Sequence, residues 1–472
     1  MSKRLILILA LLFVAGLTCA AYAEVQNVKV SGDLNAMAVS RRMTLKDHKR
    51  VTTGSNASSS FLASIARVKI DADLTDNVMT TVRLLNERYW GSETENAGTS
   101  GVNTNIVLDL ANVTLKEFLY SPLTLTVGRQ EFHFGNDMII GDYNTNNQAS
   151  AASPFGGTAN DPDLSARKAF DGVRATLNYD PLIIDAIYAK VTEGAKNVMN
   201  DDVSLYGVNA GYNIGNLKYA NNSLAEAYWF TKHSGRKAGI NNTTNKADIV
   251  NTVGARISTQ PIENLTYQLE AALQFGRFVP PTTGLYTATP QNAARRSWAL
   301  ETSLNYLFKQ VMTTPSATLG YAYFEGEKDN YNTSMHKHYQ GWDPMYENQK
   351  FGDIFNALFD QTNLHIAYLG LSAKPIDDVT LKGQYYAYWW DKPFTDGGTL
   401  GYAGLAGDRR GDTLAMTGNR FAGQEMDATI TYDYTEDVQF SLLGGLYVPG
   451  DAFTKANKSN ATEVIGSMKV TF

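Results

Sequence analysis

Apolar and polar residues alternate along most of this chain. That period of two is what a β-strand imposes on a sheet with unlike faces. Leu265, Tyr267, Leu269, Ala271, Leu273 and Phe275 oppose Thr266, Gln268, Glu270 and Gln274. Val379, Leu381, Tyr385, Ala387 and Trp389 oppose Lys382, Gln384, Tyr386 and Tyr388, and Met426, Ala428, Ile430 and Tyr432 oppose Glu425, Asp427, Thr429 and Thr431. Val173, Ala175, Leu177 and Tyr179 share one face, with Arg174, Thr176 and Asn178 on the other. The polar faces carry full charges in mid-strand. In a soluble sandwich such a face meets water outside; in a membrane barrel it lines a lumen while the apolar face meets lipid.

The connections decide between the two. Short turns fall near residues 75–77, 121–122, 180–181, 214–216, 260–264, 309–315, 374–378 and 435–437. Between them run long polar loops, the longest near 135–167, 325–361 and 391–419. Short and long connections alternate, as in outer-membrane barrels with tight periplasmic turns and long outer loops. The strand count is about 18, and bacterial barrels have an even number. Only closure removes unpaired edges within hydrocarbon. The expected fold is therefore all-β: a transmembrane antiparallel barrel, one domain over residues 24–472, ending on an outward Phe472 with both termini periplasmic. Two strands break phase, one near Asn112 and one at Gly128-Arg129; a bulge at Gly128 would re-aim Arg129 and Glu131 inward.

Composition sharpens this reading. Lys3 and Arg4, the apolar run 5–17 and Ala21-Tyr22-Ala23 read as a signal peptide over residues 1–23. The sole cysteine, Cys19, lies within it and in a poor lipidation motif, so the mature chain has no disulfide and no cysteine metal site. The net charge of −6 grows more negative once Lys3 and Arg4 are removed, which argues against nucleic acid as a partner. No later stretch approaches the roughly 20 apolar residues of a membrane helix. The 26 Tyr, 20 Phe and 39 Gly suit a barrel with aromatic girdles. The expected surroundings are outer-membrane lipid, with the barrel-assembly machinery needed for insertion.

Gly128-Arg129-Gln130-Glu131, then Gly135 and Gly141, then Phe170-Asp171-Gly172-Val173-Arg174, resemble the signature of the alginate-export porin family. The segments 363–375, 423–427 and 447–450 resemble it further. The resemblance covers most of the mature chain. It implies a monomeric outer-membrane barrel that passes an anionic polysaccharide through an arginine-lined constriction. The run Gly135-Asn136-Asp137-Met138 departs from the family pattern, which often places an arginine there.

The candidate pore-lining residues are Arg67, Arg83, Arg129, Glu131, Arg167, Lys168, Arg174, Arg256 and Lys382. Of these, Arg129, Arg167, Lys168 and Arg174 either form a selectivity ring or brace the wall by pairing with lumen carboxylates such as Asp33, Asp71, Glu87, Glu270, Glu301, Glu425 and Asp427. The 135–167 loop either folds inward or stays on the surface. Tyr386, Tyr388 and Trp390 read as an aromatic girdle or as a sugar-stacking stripe. Asp161-Pro162-Asp163 reads as an exposed acidic turn, with Ca²⁺ as the alternative. His336 and His338 form no metal set, and no cofactor is expected. The histidines (His48, His133, His233, His336, His338, His365) make no catalytic constellation, so an enzyme is not expected. The expected function is a passive channel for export of an anionic, alginate-like polysaccharide or for another hydrophilic solute. The alternatives are a small-solute uptake porin and a barrel sheath around a periplasmic partner such as an electron conduit.

Overall fold

The computed structural model describes residues 27–45, 58–91, 106–145, 161–194, 201–217, 220–235, 246–279, 293–327, 338–393 and 414–472. The expected signal peptide, Cys19, His48 and His336 lie outside the described residues. The strands are β1 (Asn27–Arg42), β2 (Ser59–Thr75), β3 (Val78–Tyr89), β4 (Val107–Leu115), β5 (Leu123–Gln130) and β6 (Phe170–Asn178). Next come β7 (Leu182–Thr192), β8 (Val203–Leu217), β9 (Ala220–Ser234), β10 (Asp248–Ile262), β11 (Leu265–Phe278), β12 (Ala293–Leu307) and β13 (Ser316–Phe324). After the two-residue β14 (His338–Tyr339) and the short helix α1 (Asp353–Leu358) follow β15 (Leu364–Ile376), β16 (Val379–Trp390), β17 (Phe421–Asp433), β18 (Val438–Pro449) and β19 (Ala461–Thr471).

Setting β14 aside, 18 strands pair antiparallel with their chain neighbours, and β1 pairs with both β2 and β19. The sheet is therefore closed, and no wall strand leaves a row of unpaired amides facing lipid. Long strands hold the register: Leu34 lies opposite Val470 and Ala66. The outward positions are apolar and exposed, as at Val30, Leu273, Leu319, Leu371 and Val464. The chain end meets the first strand: the Gly32 N–H donates to the Phe472 carbonyl at 2.8 Å, and the Phe472 N–H returns to Gly32 at 3.0 Å. The Thr471 N–H also donates to Asp437, in the short turn after β17, so Phe472 lies on the short-turn edge.

Three local readings change. There is no bulge at Gly128: β5 pairs in continuous register with β4 and β6 on either side of it. The glycine is needed because its φ is 122° and a Cβ would strike the Ala111 carbonyl. The phase break in β4 is a register shift opposite Arg83 and Leu84, beside Asp109 rather than Asn112. The turn expected at 214–216 is strand, since β8 runs on to Leu217.

The lumen is not uniformly polar. Phe132, Phe134, Ile139, Ile140, Trp342, Tyr346, Ile354, Phe355 and Phe359 are buried together against inward residues of the wall, including Phe230, Tyr388, Trp390 and Tyr447. This is the largest hydrophobic core among the described residues, and it lies inside the barrel.

Candidate functional site

Two connections leave the long-loop edge of the wall and fold into the lumen. The first follows β5. Gly135 there has φ 62°, and a Cβ on it would lie 2.7 Å from the Glu270 carboxylate. That close approach lets the Asn136 N–H donate to Glu270 Oε2 at 2.8 Å. The Tyr228 hydroxyl donates to Glu270 Oε1 at 2.8 Å. The Asn136 side chain accepts from Arg256 Nε at 2.6 Å and donates to Glu301 at 3.4 Å. Glu270 and Glu301 are cross-strand partners on β11 and β12, both buried. Each is satisfied by donors from the inner segments; Gln349 Nε2 reaches Glu301 at 2.5 Å. His133 and Asp137 bond at 3.0 Å in the first turn of this segment, and that bond raises the His133 pKa above its ordinary value.

The second connection follows β13. Its β14 runs parallel to the upper end of β12, and it then crosses the lumen to α1. The two segments bind each other through backbone. Gly141 and Asp142 N–H groups donate to the Tyr346 carbonyl at 2.8 and 3.0 Å, Tyr346 N–H to Ile139 at 3.1 Å, and Asn348 N–H to Asp137 at 2.9 Å. Lys168 Nζ clamps the seam, donating to Asp142 at 2.7 Å and Asn348 at 2.8 Å. Asp343 is held by Lys232 at 3.0 Å, with Arg295 at 3.8 Å. At α1 the Ile354 and Phe355 N–H groups each donate to Glu425 at 2.7 Å, and Phe355 stacks on Tyr388 with centroids 3.8 Å apart. A short helix leaves its first N–H groups without intrahelical partners, and a buried carboxylate on β17 supplies them.

The cations expected to line the pore are nearly all paired. Arg174 meets Asp185 at 2.8 Å and lies 5.4 Å from the Phe134 ring. Arg129 meets Asp171 at 2.9 Å, donates to the Asp109 carbonyl at 3.2 Å and lies 5.5 Å from the Tyr143 ring. Arg83 bridges Asp109, at 2.5 Å, and Glu131. Arg67 meets Asp33 at 2.8 Å, Arg167 sits 3.6 Å from Glu87, and Arg256 meets Glu226 at 2.5 Å. Lys382 is exposed and has no ion pair among the described residues. In most of these pairs the cation is the more exposed partner: the Arg174 side chain is 32% exposed and Asp185 5%, Lys168 19% and Asp142 0%.

Three expectations are corrected. Tyr386, Tyr388 and Trp390 form neither a girdle nor an open stripe; they point inward and are buried beneath α1, with Phe359 and Phe453 against Trp390. Asp161 is not an exposed turn residue. It is buried and bound to Arg41, which also meets Asp163 at 2.8 Å and Glu463 at 3.1 Å. Arg41 was missed as a site residue because its partners lie 120 residues or more away in sequence. The inward course of 338–363 was missed too, although Trp342, Tyr346, Phe351, Phe355 and Phe359 give it an aromatic content unlike that of a solvated loop. For the first loop, residues 131–145 fold inward, while 146–160 lie outside the described residues. Among the described residues no group of three metal-binding side chains converges.

A family model described as alginate export matches residues 35–467. Solved structures share the fold at low identity. OccAB1 of Acinetobacter baumannii is 13% identical with a TM-score of 0.53, over 96% of this chain and 98% of that one. OccK2 of Pseudomonas aeruginosa, in complex with glucuronate, is 10% identical with a TM-score of 0.53, over 95% and 99%. OccK3 of Pseudomonas aeruginosa is 11% identical with a TM-score of 0.52, over 95% and 97%. No curated protein matches this chain in sequence.

Proposed function

Since this chain belongs to the alginate-export family and is an outer-membrane β-barrel channel, we propose that it passes hydroxyl-rich solutes bearing carboxylates, of the size of a uronate or a short uronate oligomer. One observation carries this reading. At four of the paired charges along the lumen, Arg174–Asp185, Lys168–Asp142, Arg83–Asp109 and Arg67–Asp33, the cation is more exposed than its carboxylate, whereas at Arg129–Asp171 the acid is the more exposed partner. A solute carboxylate meets guanidinium and ammonium edges, while the buried acids hold those edges in place. Charges facing a narrow, partly dry passage act with less screening than charges in bulk water. The related barrel solved with glucuronate supports the same solute class. The inner segments take up part of the space that a sheath would give to a partner.

The family description favours a second reading, in which a whole polyuronate chain threads the same path. Solute length separates the two. In planar bilayers, glucuronate and short oligouronates should interrupt the single-channel current at low salt in a concentration-dependent way. Interruptions whose duration grows steadily with chain length, with polymer recovered on the far side, favour threading. A cation-selective pore that no uronate blocks would overturn both.

A further inference from the structure

The outer wall carries arginines that transport does not use. On β11 and β12 the residues Gln274, Phe278, Arg295 and Ser297 are buried inward, so alternation turns Phe275, Arg277, Ala294, Arg296 and Trp298 outward. Register sets Arg277 opposite Ala294, Phe275 opposite Arg296 and Leu273 opposite Trp298. On the other side of β12, His338 of β14 is the partner of Ala294. The next residue, Tyr339, stacks on Phe278 inside at 3.7 Å, which turns His338 outward. The small Ala294 thus lies between Arg277 and His338, with Arg296 two positions below it.

The height of this recess is set by the strand. Tyr306 lies on the same outward face of β12, ten residues from Arg296 and near the short-turn edge. At about 3.3 Å per residue and a tilt of about 35–45°, that spacing is roughly 23–27 Å along the membrane normal, the height of the apolar band. Arg296 therefore sits at the outer boundary of the hydrocarbon, with Phe275 and Trp298 exposed beside and below it. Unlike the inward arginines, Arg296 is exposed and has no hydrogen bond or ion pair among the described residues. Among the described residues Arg277 makes only a 3.5 Å contact to the Ala247 carbonyl. Asp248, on the strand beside Arg277, is taken up by the Val279 N–H at 2.8 Å and Arg295 at 3.2 Å, and Glu325 accepts the Trp298 N–H at 3.1 Å. Burial pushes its pKa up to about 7, which weakens its opposition to a second anion.

We propose that Arg277, Arg296 and His338 form an external site for a phosphate of the phosphorylated glycolipid headgroup in the outer leaflet. Guanidinium groups bind phosphate through paired charge-assisted hydrogen bonds, and these two stand at headgroup level above an apolar surface that suits acyl chains. A lipid held there fixes the height of this side of the barrel, on the strands that also carry Glu270 and Glu301.

The test is native mass spectrometry of the full barrel, extracted in mild detergent and titrated with diphosphoryl lipid A, with its dephosphorylated counterpart and with inorganic phosphate. The wild type should retain the diphosphoryl lipid and discriminate against the dephosphorylated one. The double variant Arg277→Gln/Arg296→Gln should weaken retention about tenfold, the loss of one or two charged hydrogen bonds, while remaining heat-modifiable on gels. Equal retention of both lipids by the wild type overturns the proposal and requires no variant. So does a folded double variant that retains the lipid as well as wild type, and so does inorganic phosphate binding as tightly as the lipid.

Discussion

The inner segments carry a prediction that reaches from one side chain to the current through the pore. Phe355 is buried on α1, parallel to Tyr388 at 3.8 Å, with Phe359 at 4.7 Å and Tyr447 at 5.8 Å. Truncating a buried phenylalanine to alanine costs about 3–5 kcal/mol, which includes the aromatic pairing lost here. What remains on α1 is the burial of Ile354, Ala357 and Leu358, two N–H bonds to Glu425 and one to Asp427. Each bond to a charged group contributes about 1.5–3 kcal/mol, against about 1–2 kcal/mol of backbone entropy per ordered residue, so a six-residue helix that loses its central aromatic is held much less firmly. Phe355→Ala should therefore loosen α1 and its flanks without opening the wall, whose backbone ladder it does not touch. In planar bilayers, single-channel conductance should rise and the open-channel current should become noisier, while the barrel still runs as a folded, heat-modifiable species. A folded variant with wild-type conductance and noise would refute the reasoning, because the helix would then be either outside the conduction path or held by something other than this core.

Other outcomes follow from the same geometry. Arg174→Gln removes the exposed half of a pair and leaves Asp185 uncompensated, so reversal potentials should move toward cations, most at low salt where screening is weakest. Val470→Asp places a charge on the outward face beside the closing seam, at a cost of about 0–4 kcal/mol depending on depth; heat-modifiable barrel should fall well below wild type, and normal levels would place that residue elsewhere. Protease added to intact cells should cut within 391–420 and spare 338–361, because the latter lies inside the barrel; cutting confined to the short turns would reverse the assigned orientation.

The wall was legible because its code is local. The alternation in β6, β11, β16 and β17 reports directly which side chains face lipid, and the sorting of short and long connections reports closure. The inner segments obey no such code. Their course depends on partners far away in sequence: Asn136 on Glu270 and Glu301, Ile354 on Glu425, Arg41 on Asp161 and Glu463. Tyr386, Tyr388 and Trp390 show the difference. Their strand phase was readable, and they do point inward, but what covers them is a helix 30 or so residues upstream that looked like a loop. Gly128 failed for a different reason: sequence shows a glycine where the phase is uncertain, and only backbone geometry distinguishes a bulge from a positive-φ residue in continuous register.

The fold also explains how an acidic chain could present the cationic passage proposed above. Its carboxylates serve two structural ends. Glu270 and Glu425 accept backbone N–H groups of the inner segments, where no cation could substitute, because a segment entering the lumen brings unpaired amide donors with it. Asp185, Asp142, Asp109 and Glu87 sit behind arginines and lysines and hold them toward the open side. Both uses bury these carboxylates, so net charge counts acids that a passing solute does not meet, while Asp171 and Glu131 stay more exposed than the arginines they pair with. It follows that neutralising a buried anchor such as Glu270 should disturb the position of residues 135–137 more than the selectivity of the pore, whereas neutralising Arg174 should do the reverse. A Glu270→Gln variant that shifts reversal potential as strongly as Arg174→Gln, with conductance unchanged, would place Glu270 on the solute path and break this division of roles.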